Sequence, residues 1–84
     1  MNFKNNNLEK IKQSKLNCEK IGRMIYFLRK SKGWSLERLG LESGVTHQLI
    51  DRYEKGKHIS IERLEQIASA FEMNIFEFIK KCEI

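Results

Sequence analysis

The run from Ser35 to Gly56, SLERLGLESGVTHQLIDRYEKG, constrains the fold more than any other part of this chain. It holds two short amphipathic stretches joined by a glycine turn. Ser35 and Thr46 stand where helix N-caps are needed, because a hydroxyl accepts from a first-turn amide that has no partner inside the helix. Gly44 and Gly56 stand where each stretch must stop, since glycine takes φ > 0 without steric cost. The spacing predicts a helix over 36–42 and a second over 46–55, capped by Thr46. Two helices joined by so short a turn approach closely, and a large side chain at Gly40 would wedge them apart. Leu39, Val45 and Ile50 supply apolar anchors, which leaves polar side chains on the outer face of the second helix.

The flanking residues supply something to pack against. Ile21, Met24, Ile25 and Leu28 recur at i, i+3, i+4 and i+7, one face of a helix over 18–31. Asn17 is its expected N-cap, and Gly33 its expected stop after Lys30 and Lys32, whose charge suits a helix C-terminus. Ser60 caps a fourth helix with Ile61, Leu64, Ile67, Ala68 and Phe71 inward and Glu62, Arg63, Glu65, Gln66 and Ser69 outward. Asn74 caps a short fifth helix, with Ile75, Phe78 and Ile79 inward. The expected fold is a compact five-helix, all-α domain over 18–84, preceded by a polar arm over 1–17. The arm carries Asn5, Asn6 and Asn7 in a row. Its Leu8, Ile11 and Lys15 share at best one face of a weak helix.

Composition narrows the function classes. Eighty-four residues suit one domain with a small core, which dimerisation would support. The chain has no proline and is 40% hydrophobic, so a folded helical protein is expected. No apolar run approaches the ~20 residues of a membrane span. The opening residues lack the pattern of a secretion signal, so a cytoplasmic location is expected. Cys18 and Cys82 are then expected as free thiols. His47 and His58 are eleven residues apart with no cysteine at ligand spacing, so neither a metal nor another cofactor is expected. Glu37, Glu42, Asp51 and Glu54 fall on different helix faces without a His or Cys partner, which argues against an enzyme. The net charge of +5 is uneven. Residues 23–57 carry eight basic and four acidic groups, whereas 62–84 carry three basic and five acidic ones. The positive part coincides with the two-helix device, and phosphate attraction scales with such charge.

Two helices at a steep angle, the second projecting polar side chains from a basic surface, form the layout that enters the DNA major groove. The run from Ile21 to Ile79 resembles the lambda-repressor/Cro-like (XRE) helix-turn-helix family. The resemblance is carried by Ile25, Leu28, Arg29, Gly33, Ser35, Glu37 and Leu39, by the turn Gly44-Val45-Thr46, and by Ile50, Tyr53, Glu54 and Gly56. Ser60-Ile61, Leu64, Ile67-Ala68, Ala70-Phe71, Asn74-Ile75 and Glu77-Phe78 extend it through the last two helices. It implies the five-helix fold and sequence-specific binding of double-stranded DNA. Two positions depart from the family pattern. Leu36 stands where the family usually has a phosphate-contacting Gln, and Gly40 stands where it usually has Ala.

Thr46, His47, Gln48, Asp51 and Arg52 form the expected base-reading set. Gln suits adenine through paired bonds, Arg suits guanine, and Asp accepts from cytosine or excludes other sequences. Leu49 either packs inward or touches a thymine methyl. Arg23, Ser35, Arg38, Lys55, Lys57 and His58 are the candidate phosphate contacts, which fix register without reading sequence. Lys4, Lys10, Lys12 and Lys15 of the arm lie along DNA or simply solubilise the chain. Arg29 and Glu54 look like the family's partly buried ion pair, a structural role. Trp34 and Tyr53 are expected in the core. Phe76 stands where the family usually has a polar residue. With Ile75 and Ile84, or with Tyr26 and Phe27, it is a candidate dimer or partner surface; otherwise it folds over the core edge.

The expectation is a small transcription regulator, a repressor before an activator, that binds a partly palindromic operator as a homodimer. It acts by competing with, or contacting, RNA polymerase. Chains of this size resemble Cro-like phage repressors and restriction–modification controller proteins. The rival reading is a protein-interaction module, antitoxin-like or an adaptor, that keeps the fold and uses the Phe76 face.

Overall fold

The computed structural model describes residues 17–83. They form five helices: α1 Cys18–Ser31, α2 Leu36–Ser43, α3 His47–Glu54, α4 Ile61–Ala70 and α5 Ile75–Cys82. No strand occurs among the described residues. The proposed arm lies outside them apart from Asn17, and Ile84 also lies outside.

Local chemistry sets the helix ends. Ser35, Thr46, Ser60 and Asn74 all have extended backbones, and each side chain accepts from the amide three residues on. Asn74 and Glu77 cap reciprocally, since the Glu77 carboxylate accepts from the Asn74 amide at 2.8 Å. Asn17 departs from expectation. Its backbone is near φ −96°, ψ 20° rather than extended, so its carboxamide caps nothing. Only its carbonyl takes part, accepting from Ile21 at 3.0 Å.

Three helices end in the same reciprocal pair of backbone bonds. After α1, Gly33 donates to Lys30 and Trp34 to Arg29. After α3, Gly56 donates to Tyr53 and Lys57 to Arg52. After α4, Glu72 donates to Ser69 and Met73 to Ala68. The left-handed residue is glycine in the first two cases, but in the third it is Glu72, at φ 61°.

The core gathers Ile21 and Ile25 of α1, Leu39 of α2, Val45 of the turn and Ile50 and Tyr53 of α3. Ile59, then Leu64, Ile67 and Ala68 of α4, Phe71, and Phe78 of α5 complete it. Helix α1 packs on α3 and α5, α2 on α3 and α4, and α4 on α5. Trp34 is half-buried and stacks on Phe71 with ring centroids 5.8 Å apart. Ile75 and Ile79 are half-buried against the core, as expected. Ile61 is not part of it: it is 61% exposed. It occupies the first position of α4, where Glu62 and Arg63 are exposed as well.

One close approach was not anticipated from the sequence. A Cβ at Gly22 would lie 2.2 Å from the carbonyl oxygen of Tyr53 and 3.0 Å from that of Glu54. Helix α1 therefore crosses the last turn of α3 backbone to backbone, and Gly22 is the residue that allows it. The available signal was a glycine inside an apolar helical pattern, which calls for a packing reason because it costs about 1 kcal/mol in helix propensity.

Candidate nucleic-acid interface

The turn between α2 and α3 is held from both sides. Gly44 has φ 77°, and its amide donates back to the Gly40 carbonyl at 2.9 Å. The Ser43 hydroxyl accepts from Val45 at 3.2 Å, and Gln66 of α4 reaches the Ser43 carbonyl at 3.5 Å. A Cβ at Gly40 would lie 3.0 Å from the Val45 carbonyl oxygen, so the close approach expected there is present. Val45 is buried directly after the turn, which seats α3 on the core.

With Ile50 and Tyr53 buried, the other side of α3 faces solvent. Thr46, Gln48 and Arg52 are exposed, and His47 and Asp51 are half-buried. His47, Gln48, Asp51 and Arg52 fall on one helical face, and Thr46, the N-cap outside the helix, is exposed at its start. Thr46, His47 and Gln48 border a shallow hollow with Glu37, Gly40, Leu41 and Gly44. Leu49 is half-buried against the core, which decides its alternative in favour of packing. Leu41, 84% exposed beside the start of α3, is part of this surface and was not singled out from the sequence.

Charge on this face is partly neutralised within the protein. Asp51 accepts from Lys55 at 3.0 Å, one turn on. Arg38 pairs with Glu42 at 2.8 Å and lies over the Trp34 ring at 5.2 Å. Both ion pairs are exposed, where each is worth about 0.5 kcal/mol, so phosphate can displace them at small cost. Arg52, Lys57 and His58 are exposed and form no ion pair among the described residues. Ser35 is exposed, but its hydroxyl is engaged by the Arg38 amide at 3.0 Å. Arg23 is elsewhere. It lines a cleft between α1 and α5, among residues that do not include the reading set.

The Arg29–Glu54 pair forms as the resemblance implied. Arg29 Nε donates to Glu54 at 2.7 Å and Nη2 at 3.0 Å, while Nη1 donates to the Trp34 carbonyl at 2.9 Å. Both side chains are nine-tenths buried. The hydrogen bond to Glu54 raises the guanidinium pKa above its ordinary value and outweighs the opposing effect of burial. The Arg29 side chain thus ties the end of α1 to the segment before α2, through the Trp34 carbonyl, and to the end of α3, through Glu54.

Phe76 is 80% exposed, so it does not fold over the core edge. Tyr26 and Phe27 are also exposed, although Tyr26 lies beneath the charges of Arg29 and Lys30, 5.4 and 5.9 Å from its ring centre. Both cysteines are free thiols, Cys18 buried and Cys82 half-buried. Among the described residues no group of His, Cys, Asp or Glu is placed to hold a metal ion. No described helix is long and apolar enough to cross a membrane.

A helix-turn-helix family model, HTH_3, matches residues 25–78. An uncharacterized HTH-type transcriptional regulator of Rickettsia conorii is 44% identical over 64 residues, which is 75% of this chain and 51% of that protein. The HTH-type transcriptional regulator SlrR of Bacillus subtilis is 36% identical over 59 residues, 68% of this chain and 39% of that protein. The crystal structure of an HTH_3 family transcriptional regulator from Vibrio cholerae superimposes with a TM-score of 0.71 at 28% identity, covering 80% of this chain and 38% of that one. This chain thus spans about half the length, or less, of the relatives it matches.

Proposed function

The chain belongs to the helix-turn-helix family, and on that premise we propose that it is a sequence-specific DNA-binding transcriptional regulator whose α3 lies in the major groove. The observation that carries this reading is the solvent face of α3. His47, Gln48, Asp51 and Arg52 stand together on a helix whose opposite side is locked to the core, with Thr46 exposed at its N-cap. His47 and Gln48, near the N-terminal end, reach base edges first, with Gln48 suited to adenine and Arg52 to guanine. Lys57 and His58 beside the end of α3 hold the phosphates, with Lys55, Arg38 and the Ser35 end of α2 in support. Leu36 offers no side-chain donor, so the phosphate contact usual at that position falls to the backbone amides of the α2 start.

The protein acts as a homodimer on a partly palindromic operator, two copies of α3 meeting half-sites about 34 Å apart. Phe76 is the anchor proposed for the second copy, flanked by Ile75, because an apolar ring so exposed is stabilised by burial against a partner. Repression follows from occupying DNA that RNA polymerase needs.

Selection of bound sequences from random duplex DNA, beside Gln48→Ala and Arg52→Ala proteins, tests the reading. The expected result is a partly palindromic consensus that loses definition at separate base pairs in the two variants, by about 1–3 kcal/mol each. Lys57→Ala should weaken binding evenly across sequences and lower the salt dependence by about one phosphate. Weak, unselective binding that both reading-helix substitutions leave unchanged would refute base readout and favour the interaction-module reading on the Phe76 face.

A further inference from the structure

A second charged surface lies away from the reading helix. Lys20 and Arg23 of α1 and Lys81 of α5 line one cleft, whose remaining lining is Met24, Phe27 and Cys82. None of these residues belongs to α2, α3 or the loop after α3. The ion pairs of the described residues engage Arg29, Arg38 and Lys55, so no described carboxylate lies within ion-pair distance of Lys20, Arg23 or Lys81. Glu83 stands nearby, lining the adjoining hollow with Lys20. Like charges gathered around one cleft repel, and an anionic partner relieves that repulsion.

The apolar part of the lining decides what kind of anion fits. Exposed Phe27 and half-buried Met24 add apolar surface to the cleft beside its three cations. A sugar–phosphate backbone is bound mainly through its phosphate oxygens and makes less use of that apolar surface. A peptide segment with an apolar side chain between carboxylates matches both parts. Residues 1–16 of this chain carry four lysines against one glutamate, a charge opposite to the one this cleft calls for.

We propose that the cleft between α1 and α5 docks an acidic segment of a partner protein, with an apolar side chain over Met24 and Phe27 and carboxylates at Lys20, Arg23 and Lys81. The cleft is independent of the base-reading residues, so the partner binds while α3 is engaged and can control the regulator without touching its DNA surface.

The full chain, immobilised, would be used to select from a displayed library of random peptides of roughly 12 residues. The expected peptides carry Asp or Glu on both sides of an aromatic or aliphatic residue. A selected peptide made as a free molecule should lose about tenfold in affinity with Lys20→Glu, Lys81→Glu or Phe27→Ser. It should bind the Arg52→Ala protein normally, and its affinity should fall as salt rises. Lys20→Gln and Lys81→Gln, which remove charge without reversing it, guard against a folding defect, and thermal melts check each variant. The proposal is overturned if no peptide is enriched, if the peptides show no acidic bias, or if the cleft substitutions leave affinity unchanged. It is equally overturned if those substitutions weaken duplex DNA binding evenly, which would assign the cleft to phosphates, or if they split a dimer, which would assign it to a second copy. The DNA selection described above is a separate readout, so failure of base reading and failure of this proposal are distinguishable.

Discussion

Replacing Gly22 by alanine probes how closely α1 seats the end of α3. The new Cβ would lie 2.2 Å from the Tyr53 carbonyl oxygen, whereas ordinary contact begins at 3.4 Å. Relief therefore needs a separation of about 1 Å between two backbones, and neither can rotate away as a side chain would. Alanine in a helix interior gains about 1 kcal/mol over glycine. Overpacking against backbone costs up to about 3 kcal/mol, occasionally more. The net loss is then about 2 kcal/mol, or a fall in Tm of roughly 8–16 °C for a domain of this size. Gly40→Ala is the internal control. Its Cβ would meet the Val45 carbonyl at 3.0 Å, which a few tenths of an ångström relieve, so helix propensity and crowding nearly cancel and stability stays within about 1 kcal/mol of the parent. Thermal and urea unfolding followed by far-UV circular dichroism compares the three proteins, with a constant denaturant slope confirming that stability alone has changed. A Gly22→Ala protein as stable as the parent, or a Gly40→Ala protein equally damaged, would refute the argument that backbone clearance at Gly22 sets the position of α3.

Three further outcomes are expected. Glu72→Gly should stabilise the domain by about 0.5 kcal/mol, because the cost of a left-handed φ of 61° exceeds the added freedom of the unfolded chain; a lower urea midpoint would contradict this. Glu54→Ala should cost about 3 kcal/mol, since Arg29 is left charged and buried, while a joint Arg29→Met, Glu54→Leu replacement should recover much of the loss; a double-mutant cycle showing no coupling would sink that reasoning. Burial, with a smaller contribution from Glu83 and a small opposing one from Lys20, pushes the Cys82 thiol up to about 11. Below the unfolded thiol's range both states are protonated, and between that range and about pH 11 only the unfolded chain ionises, so stability should fall with rising pH across this window and Cys82→Ala should flatten the fall. Alkylation of native Cys82 that is already rapid near pH 8 would contradict the shift.

The elements of this fold were legible in the sequence because their signals are local. Ser35, Thr46, Ser60 and Asn74 cap where hydroxyl or amide side chains precede apolar periodicity, and Gly33, Gly44 and Gly56 take the left-handed turns that only glycine adopts cheaply. Two expectations fail, and the end of α4 carries no glycine signal. Asn17 has a capping side chain but not the extended backbone that would aim it. Ile61 follows the helical period yet is exposed at the first position of α4. Glu72 takes the left-handed conformation usual for glycine at the end of α4, directly after buried Phe71.

The candidate interface divides along the same line. That residues 47, 48, 51 and 52 share one face follows from helical geometry alone, as does the polar surface they present. Which of the cations remain unpaired does not follow. Arg38 and Lys55 are engaged by Glu42 and Asp51, Arg52 and Lys57 are not, and Arg23 sits with Lys20 and Lys81 at a cleft the sequence never suggested. Caps, turns and periodicity are settled between residues a few positions apart, so the chain's own order specifies them. The clearance at Gly22, the burial of Arg29 against Glu54 and the cleft between α1 and α5 depend on residues 25 or more positions apart, and only the packing of the helices brings them together.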